Sequence, residues 1–113
     1  MSKSPGHRKW PEHKVEEQPL EQRLQVKVQG EVLADTTRAI VVNEDEHPPR
    51  YYVPRADVTM EKLVDSETTS KCPFKGEAHY YSINVGSDQL EDAAWAYDEP
   101  YDEHHALAGH IAF

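Results

Sequence analysis

The densest chemistry in this 113-residue chain lies in Cys72-Pro73-Phe74-Lys75-Gly76, continued at once by Glu77-Ala78-His79-Tyr80-Tyr81. Cys72 is the only cysteine. As a thiolate it would serve as a nucleophile or redox centre, and Lys75 and His79 close by would favour that ionised form. The competing reading is a small buried apolar side chain leading into a strand. Lys75 offers a placed cation for a phosphate or carboxylate, with Arg50 or Arg55 joining it if the strands bring them together. Against that stands a solvated loop lysine. Glu77 or His79 has the chemistry of a general base. Tyr80, Trp95 and Tyr97 can wall a pocket that stacks a flat ligand, although such residues also serve simply as core. The candidate catalytic set is therefore Cys72, Glu77 and His79. The candidate ligand-binding set is Lys75, Tyr80, Trp95, Tyr97, Arg50 and Arg55.

The seven histidines raise the question of a metal. His104, His105 and His110, with Cys72 and His79, supply enough nitrogen and sulfur for a transition-metal site. Their spacing matches no standard ligand motif, and neighbouring histidines on a strand point to opposite faces. No metal site and no cofactor is assigned. The carboxylates from Asp88 to Glu103 read as a solvated acidic face.

These residues need a scaffold, and the chain supplies one of limited size. Its length suits a single domain. Hydrophobic residues make up 37% and charged residues 29%, with a mean hydropathy of -0.84, so a thin core is expected. The net charge of -9 divides unevenly: residues 1–23 carry +1 and residues 24–113 carry -10. A surface that acidic repels phosphate backbones and anionic lipid, which argues against nucleic acid and membrane as partners. A lone cysteine cannot form an internal disulfide, and no apolar run has the length of a signal peptide or a membrane span. A soluble cytoplasmic protein is the expectation.

Residues 1–23 hold four prolines and glycines among charges and predict an N-terminal arm or disordered tail, with Trp10 as its one docking residue. From Leu24 the pattern becomes period two. Leu24, Val26 and Val28 alternate with polar residues, Gly30 turns the chain, and Glu31 to Ala34 returns as a hairpin. Arg38–Val42 and Arg50–Val53 predict further strands, the latter stopped by Pro54. Asp57–Val64 is ambiguous between a short helical turn and an irregular strand. His79, Tyr81, Ile83 and Val85 alternate with Tyr80, Ser82 and Asn84 and give the clearest strand. Asp92–Tyr97 and Leu107–Phe113 follow. About seven short strands with frequent turns predict one mainly β domain over residues 24–113, mostly antiparallel, rolled or partly closed, with little helix.

Four motifs are also familiar in their order: Tyr51-Tyr52-Val53-Pro54-Arg55-Ala56-Asp57-Val58, Thr68 to Gly76, Ala94-Trp95-Ala96-Tyr97 with Pro100, and Gly109-His110-Ile111-Ala112-Phe113. Over residues 24–113 the chain resembles the bacterial domain of unknown function 427 family. The resemblance implies a mainly β, tent-like sheet arrangement. Some members carry a nucleotidyltransferase label, but this chain has no Gly-Ser followed by an Asp-x-Asp pair beyond Gly86-Ser87 in an ordinary turn.

Two classes of function are consistent with these residues. One is a small-molecule binding domain around the Cys-Pro-Phe-Lys-Gly stretch, taking an anionic or aromatic ligand, with catalysis left open. The other is a non-catalytic interaction or self-association module, such as a homodimer formed through a strand edge.

Overall fold

A computed structural model describes residues 3–113; the first two residues of the segment assigned to the arm lie outside the described residues. The fold is mainly β. In chain order it comprises a short helix α1 (Pro5–Lys9) and strands β1 (Val15–Pro19), β2 (Leu24–Val28), β3 (Glu31–Thr36), β4 (Ile40–Glu44), β5 (Arg50–Pro54), β6 (Leu63–Cys72), β7 (Gly76–Val85), β8 (Asp88–Ala96) and β9 (His110–Ala112). Short 3-10 turns occupy Arg55–Asp57, Met60–Lys62 and Asp102–Leu107. Seven strands form an antiparallel sheet in the order β1-β4-β5-β9-β8-β7-β6, and β2 and β3 form a separate hairpin. The sheet is not closed into a barrel, consistent with the rolled or tent-like arrangement expected.

The period-two pattern explains how two cores fit on one sheet. Val53, Tyr81, Ile83, Val85, Ala94, Ala96 and Ile111 face the hairpin and pack with Leu33, Ala34, Val58 and Leu63. Their chain neighbours Tyr52, Ala78, Tyr97 and Ala112 face the other way and pack with Val15, Val42, Phe74 and Leu107. On β7 the parity is strict, with Tyr81, Ile83 and Val85 in the first cluster and Ala78, with Tyr80 beside it, in the second. The first face is covered by a whole hairpin. The second is covered only by a turn, a 3-10 segment and part of the N-terminal chain, and is left partly open.

Two strands differ from the sequence-based expectation. β1 lies inside the stretch assigned to the arm, and pairs with β4 from Val15 opposite Glu44 to Pro19 opposite Ile40. β6 spans the polar stretch from Asp65 to Lys71, most of which is exposed. Both are edge strands of the sheet. An edge strand needs only one partner and little burial, so it carries no hydrophobic alternation to be read. The ambiguous segment 57–64 resolves into two 3-10 turns and the start of β6. Leu107, assigned to the last strand, ends a 3-10 turn instead and is fully buried.

Candidate functional site

The Cys72–Gly76 motif is the tight connection between β6 and β7, with Cys72 paired to Gly76. Gly76 has a φ of +123°, a conformation that side chains with a Cβ rarely adopt, so glycine is required for the chain to reverse there. That reversal turns Lys75 inward. It is buried at 7% exposure, unlike the other cations of the chain.

Lys75 lies within a cleft of about 570 Å³ on the partly open face of the sheet. Buried Val42, Tyr52 and Tyr97 line its depth, half-buried Cys72, Tyr80 and Trp95 its sides, and exposed Arg50, His47 and Lys71 its border. Lys75 Nζ donates to Glu44 Oε1 at 2.9 Å and stands 5.8 Å from the centroid of the Tyr97 ring. Glu44 is a hub. Its Oε2 lies 3.0 Å from His13 Nε2 and 3.6 Å from His47 Nε2. Trp95 Nε1 donates to the Tyr52 hydroxyl at 3.3 Å, and the Tyr80 hydroxyl is 3.0 Å from Ser70 Oγ. The Arg50 guanidinium stands 5.9 Å from the Trp95 ring.

The electrostatics follow from this packing. Burial acts to lower the Lys75 ammonium, but its hydrogen bond to Glu44 and the surrounding Coulomb attraction outweigh it, and its pKa lies above the ordinary 10.5. Lys75 is therefore a permanent cation rather than an amine nucleophile. Burial acts to raise Glu44, yet its bonds to Lys75 and His13 hold the carboxyl below its usual 4.5. Burial, chiefly, pushes both the Tyr52 and Tyr97 phenols up, so both remain neutral and able to donate. The cleft thus combines a fixed cation paired with an ionised carboxylate, neutral hydroxyls and aromatic faces.

The sequence-based candidates divide between the two faces of the sheet. Cys72, Lys75, Tyr80, Trp95, Tyr97 and Arg50 gather at the cleft. Glu77 and His79 do not. They share the parity of Tyr81, and the His79 ring stacks on Tyr81 with centroids 5.0 Å apart. Both border a shallow depression with Thr69, Asp98 and Glu99. Arg55 belongs to that side too, where it donates to the Tyr81 hydroxyl at 3.1 Å. A strand with period two cannot aim residues 77 and 79 at the same space as residue 80. The general base assigned from sequence is thereby separated from Cys72. Among the described residues no three His, Cys, Asp or Glu side chains are grouped to hold a metal ion.

Several site residues were not singled out from sequence. Glu44 sits in a run of acidic residues that resembles any solvated loop. His13 falls in the stretch assigned to the arm, and Tyr52 is hidden within a strand. Only the parity of β5, which sets Tyr52 opposite to Val53, carried a local signal.

Residues 16–113 match the family described as Domain of unknown function (DUF427), and the chain belongs to that family. No curated protein matches the chain.

Proposed function

We propose that this member of the DUF427 family binds a small flat molecule carrying an anionic group, with its ring against Trp95 and Tyr80 and its charge toward Lys75 and Arg50. The observation that carries the reading is the Lys75–Glu44 pair, whose side chains are only 9% and 14% exposed within an aromatic cleft. Withdrawing an ion pair from water costs several kcal/mol per ion, and a hydrophobic pair of similar volume is often at least as stable. Charges held at such cost in an aromatic cavity make it a candidate ligand site. Lys75, Arg50 and Lys71 outnumber the lining carboxylates Glu44 and Asp92 three to two, a cationic balance within an acidic protein that favours anions from solution.

Binding without turnover fits better than catalysis. Cys72 is in the cleft, but Glu77 and His79 are on the opposite face of β7. The imidazoles nearest the cleft, His13 and His47, are both directed at Glu44.

Self-association through a strand edge is the weaker reading. In β6 the register shifts between Asp65 and Thr69, where Asp92 accepts from Ser66 Oγ at 2.5 Å and Thr68 Oγ1 at 2.8 Å. A bulge of this kind blunts an edge, as do Glu16, Glu17 and Pro19 on β1.

The test is a thermal-shift and calorimetric screen of nucleotides, sugar phosphates and aromatic carboxylates on wild type and on Lys75→Met. A ligand present at about 100 times its Kd should stabilise wild type by about 2.7 kcal/mol. The same ligand should leave Lys75→Met unshifted. If Lys75→Met binds as wild type does, or no compound of these classes binds, the reading fails.

A further inference from the structure

The stretch preceding the family-matched region is not loose chain. Ser4 is buried, its Oγ donates to the Pro73 carbonyl at 2.7 Å, and its N–H donates to Glu103 Oε1 at 2.9 Å. The Gly6 N–H reaches the same Pro73 carbonyl at 2.7 Å. A Cβ on Gly6 would sit 2.6 Å from that oxygen, so the close approach depends on glycine. The His7 ring then meets Phe74 edge-on at 5.0 Å, and the His13 ring stacks on the same Phe74 at 4.5 Å. Residues 4–13 thus lie as a strap across the Pro73-Phe74 turn, beside the cleft.

The strap is fastened by a contact that counts protons. His7 Nε2 is 2.7 Å from His104 Nε2, and His104, only 2% exposed, directs Nδ1 at Glu17 Oε2, 3.1 Å away. Two imidazole nitrogens at that distance share one proton, one donating and the other accepting. Protonating one ring at its other nitrogen keeps this bond, but with both rings cationic two N–H groups would stand head to head in a space with little room for water.

We propose that residues 4–13 form a pH-released strap, fastened at neutral pH by the His7–His104 hydrogen bond and freed when both rings of that pair are protonated. The groups facing the pair are Glu17 from β1, Glu103 from the 3-10 turn and His13 from the strap itself, while Phe74 presents only its ring. The two carboxylates act to raise His7, but burial first and then His104 act to lower it, and the net direction is downward from 6.5. A histidine lowered in the docked state favours docking when neutral. Docking is therefore complete above the free value of 6.5 and is lost as pH falls through the docked value. This inference does not depend on what the cleft binds.

Amide hydrogen exchange by NMR on the full chain between pH 7.5 and 5, corrected for the intrinsic pH dependence of exchange, tests it. Protection of the Gly6 amide should fall by up to about tenfold per pH unit between 6.5 and the docked pKa and level off below it, while the β7 amides of Tyr81 and Ile83 stay protected. Gly6 protection that is flat across this range overturns the proposal, as does loss of Gly6 and β7 protection together. A His7→Gln chain, which cannot take the second proton, should show no pH dependence at Gly6. A fall like that of wild type in this variant would exclude His7 as the switch.

Discussion

Replacing Glu44 by glutamine should cost more stability than replacing Lys75 by methionine, although the two side chains form a single pair. Glu44→Gln keeps the shape but leaves the ammonium of Lys75, whose side chain is 9% exposed, facing a neutral amide. Removing one member of a buried pair costs about 3–5 kcal/mol, and access of water through the open cleft reduces this to about 2–3 kcal/mol. In Lys75→Met the remaining Glu44 carboxylate keeps His13 at 3.0 Å, and the methionine fills most of the lysine volume. A loss of about 1–2 kcal/mol is expected there. The double variant buries no charge at this position, so its loss should fall short of the sum by at least about 1 kcal/mol. Urea unfolding with a constant m-value measures all three. Calorimetry should show Glu44→Gln melting about 8–12 °C below wild type, at about 4 °C per kcal/mol for a domain of this size. The pH dependence has a fixed sign. Because the folded pKa of Glu44 is lowered from 4.5, its contribution is present above 4.5 and lost as pH falls through the folded value. Wild type and Glu44→Gln should converge in that acid range. Lys75 works in the opposite sense, with its contribution present below 10.5 and lost only as pH rises through a folded value above that. Additive losses in the double variant, or a Glu44→Gln loss below about 0.5 kcal/mol, would refute the hub as a buried, coupled pair.

Two further perturbations test the packing around the site. Gly6→Ala places a methyl 2.6 Å from the Pro73 carbonyl oxygen and should displace the strap at a cost of about 1–3 kcal/mol, seen as lost amide protection at position 6 with β7 protection intact. Unfolding of the whole chain would show that the strap is integral to the domain. Leu33 and Leu107 are both fully buried, one in each core, and their alanine variants should each lose about 2–5 kcal/mol in urea unfolding. Of the two, only Leu107→Ala should also disturb ligand binding, because only Leu107 packs in the cluster that carries Tyr52 and Tyr97.

The local arrangement was legible wherever one face of an element is buried. The alternation of His79, Tyr81, Ile83 and Val85 specified β7 and which residues share a face. The repeat from Leu24 to Ala34 specified the hairpin, and Gly76 marked the reversal after Lys75. The same period-two rule already separated Glu77 and His79 from Tyr80; grouping them by closeness in sequence placed a base in the wrong space. Edge strands β1 and β6 left no pattern, because strands paired on one side and largely exposed are free to be polar. The partners of Lys75 and His104 left none either. Lys75 meets Glu44 at a separation of 31 residues, and His104 meets His7 at a separation of 97. A charge or an imidazole reads the same in sequence whether it is solvated or buried. The sequence by itself determined the strands that bury one face, the residues that share that face, and the family. Only the tertiary structure decided which polar side chains leave water together, because the strand order, which sets neighbours across the sheet, is fixed by contacts between segments distant in the chain.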